Sequence, residues 1–244
     1  MNITSLNNNR VKYYTKLLNS KKERDKEKLF IVEGDHLVEE AMKENVVKEL
    51  LISDLSYDHY KDVDKIFVSQ EVMKKICDTI TPQGIIALCS QKEMYDLTTL
   101  NRLLLLDNIQ DPGNLGTIIR SADAFNFDGI VLSENTVDLY NPKVVRSTQG
   151  AIFRVKVIKT NLLQYINKLI AKGVLVYGTS LNGKNLNAIL PSDNMAFIMG
   201  NEGNGVSEAL MNIANDNIFI EMNGNSESLN VAVASSIIMY NFRK

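Results

Sequence analysis

The chain has 244 residues, 45% of them hydrophobic and 23% charged, and its 27 basic and 29 acidic side chains leave a net charge of −2. That balance fits a folded chain of one or two domains and excludes a collagen, a low-complexity polymer or a polycationic tail. Any nucleic-acid contact must therefore come from a local patch rather than from bulk charge.

Two cysteines, Cys77 and Cys89, form no C-x-x-C pair, and His36 and His59 stand alone. This is no zinc-binding set, so no metal is expected, and the thiols read as reduced side chains of a cytoplasmic protein. The N-terminus has no apolar run behind a basic start, so no signal peptide is expected. No apolar stretch reaches the ~18 residues of a membrane span.

Charge is uneven along the chain: residues 1–30 carry a net +5, residues 31–100 a net −7, and residues 101–244 are neutral. The basic start, with Arg10, Lys12, Lys22 and Arg24, suits a polyanion. It reads equally as a solvated helix face, since Lys22/Lys26 and Glu23/Glu27 stand at helical spacing.

The first hundred residues predict a small α/β unit. Residues 29–33 form a strand ending at Gly34, and residues 35–44 a helix with Leu37, Val38, Ala41 and Met42 on one face. Strands are expected at 46–53, 65–69 and 85–89, and a helix at 71–77. Residues 90–101 are polar and lack periodicity, which places a domain boundary there, between an N-terminal domain at 1–95 and a second at 102–244. The second part alternates more clearly. Residues 102–107, with four consecutive leucines, predict a fully buried strand. Helices are expected at 114–125, 142–148, 162–171 (stopped by Gly173), 206–213 and 229–242, with strands at 129–132, 154–158, 174–178, 195–200 and 217–221. The last helix is apolar or small nearly all round, which points to burial on more than one side and to a partner subunit.

Three loops follow strands and precede helices, the place where open α/β sheets bind ligands. The first is Asp107-Asn108-Ile109-Gln110-Asp111-Pro112-Gly113-Asn114-Leu115-Gly116. Asn114 is a candidate helix cap, and Gly116 leaves room beside Arg120 one turn on. The second is Gly200-Asn201-Glu202-Gly203-Asn204-Gly205, where three glycines in six residues favour close backbone approach. The third is Glu221-Met222-Asn223-Gly224-Asn225-Ser226-Glu227-Ser228-Leu229-Asn230, in which Ser226 or Ser228 is a candidate cap. Neither a dinucleotide fingerprint nor a Walker lysine is present.

The order N-L-G-x-x-x-R, G-N-E-G-x-G, E-S-L-N-V-A-V-A resembles the SpoU (TrmH-like) family of RNA ribose methyltransferases, of the SPOUT class, across residues 102–244. The segment 141–151, with Arg146, is similar to the family's helix between motifs. One departure is Glu221, where the family pattern usually has proline before Met222. The resemblance implies an α/β fold with a parallel sheet and a C-terminal trefoil knot, a homodimer joined near the last helix, and S-adenosyl-L-methionine held by Thr179, Gly200, Asn201, Ile220, Met222 and Leu229. It implies methyl transfer to a ribose 2′-OH of RNA, with rRNA preferred and tRNA ribose as the alternative substrate. Asn114, Arg120, Glu202, Ser228 and Asn230 would be the catalytic set, with Asn114 orienting the ribose or Arg120, and Glu202 pairing with Arg120 or the substrate. Residues 1–95 resemble the ribosomal-protein-like RNA-binding domain that precedes many members, with Arg10, Lys12, Lys22, Arg24 and Arg146 as RNA contacts. A knotted methyltransferase acting on a base nitrogen, and an RNA-binding scaffold with a degenerate pocket, are the competing readings.

Overall fold

The computed structural model describes residues 2–92, 97 and 101–243, and the chain divides into two compact units. The first comprises residues 1–93 and, unexpectedly, Asp138–Phe153. Its elements are β1 (Asn2–Ile3), α1 (Asn9–Asn19), α2 (Lys21–Glu27), β2 (Leu29–Glu33), α3 (Asp35–Lys43), β3 (Val47–Ile52), β4 (Asp64–Val68), α4 (Gln70–Ile76) and β5 (Ile85–Ser90). The strands form one sheet in the order β1-β4-β3-β5-β2, with β5 antiparallel to both neighbours. Successive strand side chains point to opposite faces, and both faces are apolar here. Ile31, Leu51, Ile86 and Leu88 pack with Val11, Tyr14 and Leu17 of α1 and Val72, Met73 and Ile76 of α4. Phe30, Val32, Leu50 and Ile52 pack on the other side with Leu37, Val38 and Ala41 of α3.

The second face is completed by the excursion 138–153, which the sequence placed in the second domain. It carries Val145, Ile152 and Phe153 into that core, and the Tyr140 ring packs tilted against Phe30 with the centroids 4.6 Å apart. Where the excursion begins, Asp138 accepts from Nε and Nη2 of Arg24 at 3.0 and 2.6 Å. Arg24 also donates to the carbonyls of Leu17 and Leu18.

The second unit contains β6 (Arg102–Leu106), α5 (Pro112–Ala124), β7 (Gly129–Leu132), β8 (Val157–Lys159), α7 (Leu162–Ala171), β9 (Leu175–Asn185), β10 (Met195–Met199), α8 (Glu208–Ile213), β11 (Asp216–Phe219) and α9 (Val231–Asn241), α6 (Pro142–Ser147) being the helix of the excursion. Six strands run parallel in the order β11-β9-β10-β6-β7-β8. The leucine run of β6 is wholly buried, as a central parallel strand requires. Because all six strands point one way, the loops leaving β6, β10 and β11 emerge at the same edge.

Several element boundaries differ from the expectation. Helix α5 starts at Pro112 with Asp111 as its cap, its side chain accepting from the Asn114 N–H; Asn114 lies inside the helix. Helix α9 is capped by Asn230, not by Ser226 or Ser228. Strand β9 runs seven residues past the expected end, and α1, unassigned from sequence, is a full amphipathic helix. The boundary segment 90–101 lies largely outside the described residues. Among the described residues no helix is long and apolar enough to cross a membrane.

Candidate active site

The site is built where the three loops meet above the sheet of the second unit. After β6, the buried Asp107 carboxylate accepts from the Asn108 side-chain amide at 2.8 Å and from the Ser207 N–H at 2.9 Å. This ties the first loop to the second. Asn108 takes a left-handed conformation, φ 58°, which asparagine tolerates better than most residues. Its carbonyl accepts from Asn201 Nδ2 at 2.8 Å. Asn201 Oδ1 then accepts from the N–H groups of Gly203 and Asn204, folding the second loop back on itself. A Cβ on Gly200 would lie 2.1 Å from Gly205 C and Val206 N, so only glycine permits that turn.

Three of the expected catalytic residues form a directed hydrogen-bond chain. Asn230 Oδ1 accepts from the N–H groups of Ala232 and Val233 as the cap of α9. Its amide nitrogen is thereby turned outward and donates to Asn114 Oδ1 at 3.0 Å. Asn114 Nδ2 in turn donates to Glu202 Oε1 at 3.0 Å. Glu202 also accepts from the backbone N–H groups of Gln110 and Asp111, both at 3.3 Å. An ionised carboxylate only accepts, and a helix N-terminus only donates, so the two ends fix the orientation of both asparagines.

Partial burial pushes the Glu202 pKa up. The hydrogen bonds from Asn114 and from the backbone at 202, 111 and 110 outweigh it, and the carboxyl lies below its ordinary value.

Beside this chain lies a cavity of about 730 Å³, within the range of small-molecule sites. The expected cofactor residues Thr179, Gly200, Asn201, Ile220, Met222 and Leu229 all line it, as do Ser228 and Asn230. Thr179 donates its hydroxyl to the Ile198 carbonyl at 2.7 Å. The mix of backbone polar groups with Leu181, Ile220, Met222 and Leu229 suits a ligand joining an aromatic nucleoside to an amino acid. The sequence assigned no individual role to Leu181 in β9 or to Asp107 and Asn108 in the first loop, whose residue types carry no distinctive signal.

Two expectations are corrected. Glu202, expected to pair with Arg120 or with the substrate, makes no bond to Arg120 and is held by Asn114 and two N–H groups. Arg120 is exposed on α5, and no described residue is hydrogen-bonded or ion-paired to its side chain. Of the basic residues, Arg24 is 4% exposed and fully engaged by Asp138 and two carbonyls. It holds the first unit together and offers RNA nothing. Arg10 donates to Tyr14 and Glu49, and Arg146 to Asp78 at 2.7 Å. Lys12 and Lys22 are exposed.

Residues 101–240 match the SpoU rRNA methylase family. The chain belongs to that family. Residues 8–87 match the MRM3-like substrate binding domain. A curated relative of this SpoU methylase, the 23S rRNA (guanosine(2553)-2'-O)-methyltransferase RlmP of Bacillus subtilis, is 44% identical over 99% of this chain and 98% of its own. The mitochondrial rRNA methyltransferase 3A of Danio rerio is 28% identical over 97% of this chain and 68% of its own. The AdoMet-bound rRNA methyltransferase structure from Sinorhizobium meliloti superposes with a TM-score of 0.89 at 30% identity, covering 99% of this chain and 96% of that one. The family resemblance carried by the three loops is thus membership, and the parallel-sheet fold expected from it is the one found.

A carboxyl whose pKa is lowered on folding adds stability above its unfolded value and loses it as pH falls through the folded value. The unfolding free energy of wild type minus that of Glu202→Gln should therefore be level from about pH 6 to 8 and shrink below about pH 4. A difference that grows on acidification, followed by denaturant titration, would contradict this ion's role.

Proposed function

We propose that this protein transfers a methyl group from S-adenosyl-L-methionine to the ribose 2′-hydroxyl of a guanosine in 23S rRNA. The observation that carries this reading is the joining of all three family loops by the Glu202–Asn114–Asn230 chain beside the 730 Å³ cavity. The near-full-length similarity to RlmP supports the choice of RNA and nucleotide. The cytoplasm, where ribosomal RNA is assembled, is the place of action.

Thr179, Gly200, Asn201, Ile220, Met222 and Leu229 would hold the cofactor, which supplies an electrophilic methyl on a sulfonium. The transfer is an in-line displacement, so alignment of the acceptor oxygen is most of the catalysis. Arg120 presents a planar fork of N–H donors and no acceptor. It therefore serves by placing the 2′-oxygen and its neighbouring phosphate and by stabilising the developing alkoxide: the O–CH3 bond forms as the S–CH3 bond breaks, S-adenosylhomocysteine leaves, and the hydroxyl proton passes to water. Asn114 has one amide hydrogen and one lone pair left after its bonds to Glu202 and Asn230. These orient the ribose. Ser228, exposed on the cavity rim, positions the nucleotide. Lys12 and Lys22 contact RNA phosphates, with Arg10 and Arg146 contributing where their acidic partners leave them exposed.

The enzyme works as a homodimer through α5 and α9. A groove of about 320 Å³ there is lined by Thr117, Ala232, Val233, Ser236, Ile237 and Tyr240. Val233 and Tyr240 are 48% and 55% exposed, and Thr117 lies one turn from Arg120. The family's trefoil knot belongs to the same reading.

Methyl-labelled cofactor with unmodified 23S rRNA or the large-subunit particle should yield one labelled 2′-O-methylguanosine, and Arg120→Ala should lower kcat/KM by about 10²-fold or more. Label on a base, or full activity in Arg120→Ala, would overturn the assignment. Val233→Glu should shift the protein from dimer to monomer in sedimentation; an unchanged sedimentation coefficient would remove α9 from the interface.

A further inference from the structure

The third motif's departure, Glu221, has a defined partner. Strand β9 pairs with β11 as far as Gly178 opposite Asn217. It then bulges outward over residues 179–183 and returns, with Lys184 opposite Ile218 and Asn185 opposite Phe219. The bulge supplies Thr179, Ser180 and Leu181 to one side of the cavity, and the residues just after β11 supply Ile220 and Met222 to another. Glu221, between those two, does not line the cavity; as in any extended segment, alternate side chains face opposite ways.

Glu221 Oε2 instead accepts from Asn185 Nδ2 at 2.9 Å. The Asn185 amide is turned to make that bond because its Oδ1 accepts from the Asn187 N–H at 2.9 Å. One position earlier on the same strand, Lys184 is ion-paired with Asp216. The return itself is possible only at Gly183, whose φ is +145° and whose Cβ would lie 2.2 Å from the Asn217 carbonyl oxygen.

We propose that Glu221 and Asn185 form a strap that fixes the cofactor-side loop, making Glu221 a positioning residue for S-adenosylmethionine binding; the inference rests on the function proposed above. By drawing residue 221 toward β9, the strap presents Ile220 and Met222 to the cavity. It does by a side-chain tie what a proline does by fixing φ.

Cofactor binding measured by calorimetry, together with steady-state kinetics, tests this. Glu221→Ala and Asn185→Ala should each raise the cofactor Kd and KM about three- to tenfold, the effect of one charge-assisted hydrogen bond at the surface, with kcat at saturating cofactor unchanged. The double variant should be no weaker than either single one, and Glu221→Pro should recover affinity toward that of the wild type. Thermal unfolding of each variant checks that the fold is kept. Wild-type affinity in Glu221→Ala, losses that add in the double variant, or no recovery in Glu221→Pro would overturn the strap. Failure of the unsubstituted protein to bind the cofactor at all would overturn the proposed function and this inference with it.

Discussion

The hydrogen bonds of Glu202 hold the functional half of this molecule in register. Its carboxylate gathers two backbone N–H groups and the amide of Asn114 from the first loop, while belonging itself to the second. Through Asn114 it reaches Asn230, the cap of α9 and the end of the third. Neutral amides could be flipped at little cost in water. Here a pure acceptor at one end and a helix N-terminus at the other leave a single arrangement. Three loops remote in sequence thereby become one surface, and the sheet's task is to deliver them to one edge.

Parallel pairing meets that task. Each strand of the second unit needs a crossover before the next, so every loop at the functional edge leads into a helix or a long connection, and the cavity is lined by strand ends and loop backbone. The tight places fall where backbone meets backbone: Gly200 against Gly205, and Gly183 against Asn217. The first unit solves a different problem. Its sheet is apolar on both faces, and one face is finished only by the excursion 138–153, pinned by the buried Arg24–Asp138 pair. Removing either partner would strand the other's charge in a dry site, which explains why a charged residue in a solvated-looking run is nearly inaccessible.

Much of this was legible in the sequence. The strands at 29–33, 102–106 and 129–132 announce themselves as unbroken apolar runs, and the three loops follow from glycine density after such runs. The motif order named the family, and the six residues expected around the cofactor line one cavity. What failed has physical causes. Asp111 before Pro112 is a stronger cap signal than Asn114, but the polar run offered several caps, as did Ser226, Ser228 and Asn230 in the third loop. Arg24 sits among lysines and glutamates, and no local pattern shows that it turns inward to Leu17, Leu18 and Asp138. The excursion 138–153 reads as an ordinary helix, since periodicity reveals an apolar face without revealing which core receives it. The pairing of Glu202 with Asn114 rather than Arg120 depends on where α5 begins, a detail finer than sequence patterns resolve.

Hydrogen bonds join Glu202, Asn114 and Asn230 into one chain, and a double-mutant cycle on methyl transfer reads whether they act as one unit. Groups that work only together give strongly non-additive losses. With kcat/KM measured for Glu202→Ala, Asn230→Ala and the double variant, the double variant should lose little more than the worse single one. Losses that multiply would show two independent residues and contradict it.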